Sequence, residues 1–161
     1  MKNNIIDIVS NRFNSKDKWG LVIGDIMLDH YIIGDVKRLS PEAPVPIVNV
    51  DDNVYKIGGA GNVALNLSGL GINTFIVGEI GNDYSGEVLK DLFKQNGMST
   101  KNLIKKKGPT TTKTRIMGGQ QQMVRLDYEE LSSGPSEIEL KKILKLISNG
   151  PSAIIISDYE K

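Results

Sequence analysis

The sequence contains no cysteine and a single histidine, His30. The first absence excludes disulfides and thiolate metal sites, and the second leaves too few imidazoles for a zinc cluster or a Ser-His triad. No stretch approaches the roughly 18 consecutive apolar residues that a membrane-spanning helix needs. The opening Met1-Lys2-Asn3-Asn4 leads into no apolar core of signal-peptide length, so a cytoplasmic location is expected. Charge of one sign is also missing: 20 basic and 19 acidic residues leave a formal net charge of +1, which gives no global field for nucleic acid or an anionic membrane. The phosphate-cradling pattern G-x-x-x-x-G-K-[ST] does not occur, which argues against a P-loop ATPase.

What is present is glycine in a particular place. Gly58-Gly59-Ala60-Gly61-Asn62-Val63-Ala64 is followed by Gly71 and Gly81. Glycines at the head of an apolar-periodic segment let the backbone pass close to a ligand, and the N-H groups of the helix that follows can face it. A polar small molecule is expected there. The length of 161 residues, 39% hydrophobic and 24% charged, is enough for one ordinary globular core.

In chain order, residues 1 to 18 are polar and aperiodic, a leader or short helix. Trp19 to Ile23 is a short apolar run ending in Gly24-Asp25, the profile of a buried strand whose carboxyl end opens on a site. From Tyr31 to Val50 the pattern predicts short extended pieces broken by Gly34 and by Ser40-Pro41-Glu42-Ala43-Pro44-Val45-Pro46, a flap rather than a core element. Val63, Leu67 and Leu70 have helical spacing closed by Gly71, and Thr74 to Val77 reads as a strand. Asp83 is placed to cap a second helix with Val88, Leu89, Leu92 and Phe93 on one face and Gly97 at its end. Glu79 is expected in a loop, and residues 99 to 109 form a basic loop. Thr110 to Met117 and Gln121 to Asp127 flank Gly118-Gly119 as a hairpin. Ser136 to Ile147 carries Leu140, Ile143, Leu144 and Ile147 in a helical stripe, and Ala153 to Ile156 is a buried-type strand. Methionine, phenylalanine and tryptophan side chains are expected in the core. The succession predicts a parallel α/β sheet with strand excursions on one side.

Gly58-Gly59, Ala60, Asn62, Ala64, Gly71 and Gly81 resemble, in type and interval, the N-terminal signature of the ribokinase-like sugar kinases. Gly24 to Tyr31, Arg38 to Pro46, Pro109 to Arg115, Gln121 to Asp127 and Ser157 to Lys161 are similar to one subgroup, the D-glycero-β-D-manno-heptose-7-phosphate kinases. Gly61 and His30 stand where that subgroup more often has alanine and arginine. The resemblance covers residues 19 to 161 and implies a Rossmann-like parallel sheet with a β-strand lid (about residues 31–50 and 110–127), of which this chain is the N-terminal, sugar-binding half. It implies ATP and Mg2+ as cofactors and a homodimer formed through the lid strands. The family's catalytic aspartate lies in a Gly-Ala-Gly-Asp segment that this sequence does not contain. The subgroup is often fused to an adenylyltransferase that makes ADP-heptose.

The resemblance also distributes roles. Asp29 would accept hydrogen bonds from sugar hydroxyls, Gly58 and Gly59 would offer backbone N-H groups, and Asn62 an amide. Lys113, Arg115 and Arg125 on the hairpin, with Arg38 on the flap, would meet a sugar phosphate. Asp158 and Lys161 would lie near the nucleotide phosphates. Each residue has a plainer alternative: Asp29 as a turn residue, the glycines as a strand-to-helix turn, the cations as a solvated strand face. A different class is also open. Gly59-Ala60-Gly61-Asn62-Val63-Ala64 satisfies G-x-G-x-x-A, with Glu79 placed 20 residues on as a dinucleotide-binding acid would be. The preceding Asp51 to Ile57 is too polar for the buried first strand that motif requires. A half-domain that binds sugar phosphate or a partner without turnover is the remaining alternative.

Overall fold

The computed structural model describes residues 18–130 and 134–160. Residues 1–17, which carry most of the expected leader, and Lys161 lie outside the described residues. Two four-stranded sheets make up the frame. The first is parallel, in the order β5 (Leu103–Lys105), β4 (Thr74–Ile80), β1 (Gly20–Gly24), β8 (Ala153–Ser157). The second, the lid, is ordered β3 (Pro46–Gly59), β2 (Ile26–Leu39), β6 (Thr112–Gly118), β7 (Gln121–Tyr128). Its outer pairs are antiparallel and its central β2/β6 pair is parallel.

Helices α1 (Ala60–Gly69) and α2 (Tyr84–Gln95) enclose the core. Val22 and Ile76 of the parallel sheet, Ala60 and Ala64 of α1, and Leu89 and Phe93 of α2 meet there with Ile26, Leu28 and Ile57 from the roots of the lid. The lid is therefore fastened to the domain by apolar burial at its base, while its outer half stands free. Both helices stop where Gly71 and Gly97 were expected to stop them, and Asp83 caps α2 by accepting a hydrogen bond from the Gly86 amide at 2.9 Å.

Several expectations change. The strand from Ile26 runs through Gly34 to Leu39 without a break, because the chain absorbs the irregularity as register shifts at Ile33/Gly34 and Val36/Arg38. The Pro-rich segment is the turn between two 14-residue strands. The basic loop contains the short strand β5, whose pairing to β4 no local periodicity announces. Glu79 lies within β4, not in a loop. Helix α3 (Glu137–Ser148) has the expected limits, with a full capping box between Ser136 and Glu139, but buries no residue. Leu140 and Leu144 are exposed, as are Ile154 and Ile156 of β8. Met123 is exposed too, on the edge strand of the lid, while Trp19 packs edge-on against Phe75 with ring centroids 5.2 Å apart.

Strand β1 is the point where the parallel sheet changes direction: the chain adds β4 and β5 on one side of it and β8 on the other. Ligands of open α/β sheets bind outside the carboxyl ends at such a point. Both lid hairpins cover that region, and the backbone at Asp25 is the junction. Its N-H donates to the Ser157 carbonyl at 3.0 Å and its carbonyl accepts from the Ala60 N-H at 2.8 Å.

Candidate functional site

Strand alternation puts every second lid residue on the side facing the carboxyl ends of the parallel sheet. Cross-strand register makes Lys56, Asp29, Lys113 and Asp127 one row on that face, and Val54, Tyr31, Arg115 and Arg125 the next. Beneath the first row is the entry to α1. Gly59, the residue before the helix, has φ +58, and a Cβ there would sit 2.2 Å from the Asp25 carbonyl oxygen. Only glycine lets β3 turn into α1 this close to β1. At Gly58 a Cβ would lie 2.6 Å from Asp29 Oδ2, so the missing side chain is the space the carboxylate occupies.

These elements enclose a cleft of about 320 Å³ lined by Met27, Asp29, Gly58, Gly59, Asn62, Val63, Lys113, Arg115, Arg125 and Tyr159. Seven residues singled out from sequence therefore converge: Asp29, Gly58, Gly59, Asn62, Lys113, Arg115 and Arg125. Arg38 does not join them. It lies at the far end of β2, exposed and paired in register with Ile47, because the unbroken strand carries it along the lid and away from the cleft. Asp158 follows β8 but does not line the cleft; its Oδ1 accepts from the Glu160 amide at 2.8 Å. Its neighbour Tyr159 takes the place instead, held by its N-H donating to Asp25 Oδ2 at 2.7 Å. Tyr31 and Lys56 were not singled out from sequence. Counting back in steps of two from Gly58 reaches Lys56, and forward from Asp29 reaches Tyr31, so strand parity was the signal that would have found both.

The site's charges are paired, most of them across strands. Arg115 Nη1 donates to Asp29 Oδ1 at 2.5 Å, and its guanidinium lies over the Tyr31 ring at 5.2 Å. Lys56 Nζ is also 5.2 Å from that ring. Lys113 and Arg125 both donate to Asp127, at 3.1 and 2.8 Å. The hydrogen bond it donates to Asp29 raises the Arg115 pKa further, which keeps this cation charged at any working pH. Desolvation pushes Asp127 upward, but the hydrogen bonds from Lys113 and Arg125 outweigh it and hold the carboxyl below its usual range. A carboxylate that accepts hydrogen bonds, two arginines opposite each other on neighbouring strands, and an asparagine amide suit a ligand with both hydroxyl groups and an anionic group.

The antiparallel pairing of β3 also answers the dinucleotide alternative. The strand before the glycine run belongs to the lid, not to the parallel sheet, so it is not the buried first strand of a βαβ unit. Among the described residues no grouping of three or more His, Cys, Asp or Glu side chains could hold a metal ion.

The parallel sheet, the lid over its carboxyl ends and the cleft between them define a ribokinase-like fold of the sugar-kinase class. The chain belongs to the pfkB family of carbohydrate kinases, whose signature matches residues 20–155. It is 45% identical over 165 aligned positions to the bifunctional protein HldE of Methylobacillus flagellatus, covering 100% of this chain and 34% of that protein. With the bifunctional protein HldE of Koribacter versatilis it shares 44% identity, again over 100% of this chain and 34% of the relative. The chain thus spans about a third of the length of the curated relatives it matches. Among solved structures, Arabidopsis thaliana ribokinase complexed with ribose and ATP superposes with a TM-score of 0.65 at 16% identity, over 86% of this chain and 45% of that one. A carbohydrate kinase from Agrobacterium tumefaciens gives 0.54 at 23% identity, over 69% and 35%. At such identities these two show the fold alone.

Proposed function

We propose that this chain is the sugar-binding part of a kinase that transfers the γ-phosphoryl group of ATP to the anomeric hydroxyl of D-glycero-D-manno-heptose 7-phosphate. The product would be the 1,7-bisphosphate, a precursor of ADP-heptose for the lipopolysaccharide core, made in the cytoplasm. One observation carries the reading: four separate segments bring Asp29, Gly58, Asn62, Lys113, Arg115 and Arg125 to one cleft at the carboxyl ends of the sheet. The full-length relatives named HldE and the subgroup motifs support the particular sugar.

In this reading Asp29 orients the sugar through its hydroxyls, Asn62 donates and accepts from beside it, and the hairpin cations hold the phosphate. Tyr159 and Met27 exclude water from one wall. ATP with Mg2+ would supply the phosphoryl group with its charge neutralised. The described residues offer that ion no ligand cluster, so none of them is given a role toward it. Asp158 and Lys161 remain proposed as neighbours of the nucleotide. The base and the anion hole would come from the Gly-Ala-Gly-Asp segment of the family, so purified residues 1–161 should not turn over sugar. We further propose a homodimer through the lid strands.

The test is Asp29→Ala in the full-length protein, followed by calorimetry. Loss of charge-assisted hydrogen bonds worth about 1.5–3 kcal/mol should weaken heptose 7-phosphate binding roughly tenfold to a hundredfold and leave ATP affinity unchanged. Unchanged sugar affinity would remove Asp29, and with it this reading of the cleft.

A further inference from the structure

The carboxylate assigned above to the sugar hydroxyls is already occupied. Asp29 Oδ1 accepts the Arg115 guanidinium at 2.5 Å, and Oδ2 lies against the Gly58 backbone, where a Cβ would be only 2.6 Å away. The two side chains keep 21% and 22% of their surface exposed, so the pair is accessible rather than sealed in the core. Tyr31 gives Arg115 a flat surface along which the guanidinium can move while remaining stacked.

On its other side Arg115 faces Arg125 directly across the β6/β7 pair. Like charges opposite one another on neighbouring strands repel, and here the two are separated by partners of their own, Asp29 for one and Asp127 for the other. An anion between the two arginines would relieve that repulsion. A phosphate offers the planar guanidinium a dianionic, bidentate acceptor, a better partner than the single oxygen it holds now.

From this geometry we propose that Arg115 is a phosphate-operated latch on Asp29. A phosphorylated sugar draws Arg115 toward its phosphate and uncovers Oδ1 for its own hydroxyls; an unphosphorylated sugar meets a carboxylate that is still engaged. Discrimination then comes from a coupling between two subsites and not only from the phosphate's own contacts. Coupling of this kind is reciprocal, so hydroxyl binding tightens phosphate by the same factor. The inference rests on the proposed reading of Asp29 as the hydroxyl acceptor.

The test uses full-length protein and three probes: heptose 7-phosphate, unphosphorylated heptose and inorganic phosphate. In the unaltered protein, saturating inorganic phosphate should tighten unphosphorylated heptose by about five- to tenfold, the size of one partly exposed charge-assisted hydrogen bond. Arg115→Gln should abolish that enhancement and bind unphosphorylated heptose more tightly than the unaltered protein does, while losing affinity for heptose 7-phosphate. Arg115→Lys, which keeps the charge without the planar fork, should fall between the two and serves if the glutamine variant does not fold. An Arg115→Gln protein that loses both sugars, or inorganic phosphate that leaves heptose affinity unchanged, overturns the latch and makes Arg115 a plain phosphate ligand. If Asp29→Ala leaves the affinity for heptose 7-phosphate untouched, the underlying assignment of Asp29 is what fails.

Discussion

The two faces of the lid carry different chemistry on the same four strands. Toward the cleft, Lys56, Asp29, Lys113 and Asp127 alternate in sign along one cross-strand row, with Tyr31, Arg115 and Arg125 in the next. On the reverse, the corresponding rows are Tyr55, His30, Thr114 and Leu126, then Asn53, Ile32, Ile116 and Val124. Near the root of the lid the reverse face sinks into the core through Leu28 and Ile57, which are 1% and 6% exposed. Residue parity thus separates folding from recognition: one face bears the apolar burial that fastens the lid, and the other can vary its charges with little effect on stability.

The largest effect should come from crossing that division at the root. Leu28→Ala removes a fully buried side chain between lid and core and should cost about 2–5 kcal/mol in denaturant unfolding. Lys113→Ala, on the cleft face of the neighbouring strand, should cost less in the same experiment, about 1 kcal/mol, because it removes a half-covered ion pair whose carboxylate, Asp127, is still held by Arg125. Equal losses would mean that the two faces are not separable.

A smaller effect is expected where the lid is tied to α2. Asp83 accepts from the Thr110 hydroxyl at 2.5 Å, the Thr110 amide at 2.9 Å and the Gly86 amide at 2.9 Å. Thr110, just before β6, in turn accepts from the Gly81 amide at 2.9 Å. Asp83→Ala removes a helix cap and leaves the buried Thr110 hydroxyl without that partner, at a cost of about 1–3 kcal/mol. Burial raises the Asp83 pKa, but the hydrogen bonds from Thr110 and Gly86 outweigh it and leave the carboxyl below its ordinary value. A carboxylate depressed in the folded state stabilises at pH above its unfolded value, and that stabilisation is lost as pH falls through the folded one. The difference in stability between the unaltered protein and Asp83→Asn should therefore shrink on acidification below the ordinary carboxylate range. A difference that stays constant through and below that range would show that the cap does not depend on the charge.

Much of this arrangement was legible in the sequence where local chemistry decides it. The glycine run, the Asp83 cap and the Gly118-Gly119 hairpin are short-range signals, and each lies where it was expected. The strands of the lid were underestimated because proline and glycine mark local breaks, whereas β2 and β3 are held by pairing along nearly their whole length. That pairing is also why Arg38 leaves the site and why Lys56 lies in register beside Asp29. The burial of α3 was not readable from its apolar stripe: the periodicity is real, yet Leu140 and Leu144 are left 46% and 55% exposed. His30 shows the same limit in a single side chain. Placed by sequence beside Asp29, it points to the opposite face, stacks on Tyr55 at 4.4 Å between centroids and lies 3.2 Å from both Thr114 Oγ1 and Asn53 Oδ1.

The smallest change in stability, and the sharpest test of the reverse face, is expected at Leu126. Beyond the root this face is uncovered: Val124, Leu126 and Tyr128 are 44%, 41% and 59% exposed, and they lie on β7, an edge strand of the lid. A hollow of about 400 Å³ beside them is lined by His30, Ile32, Tyr55, Tyr84, Leu126 and Tyr128, among others. An apolar edge with unpaired backbone groups recruits another strand, and the proposed second copy of the lid offers an identical surface. Leu126→Lys places a charge where the two copies would meet while removing only a half-exposed side chain. Unfolding free energy should change by no more than about 0.5 kcal/mol, as for other surface substitutions. Sedimentation of the full-length protein at micromolar concentration should nevertheless shift from dimer to monomer. A dimer that persists through this change, with Asp29-dependent sugar binding intact, would place the interface away from the reverse face and leave that face's apolar side chains without the role given to them here.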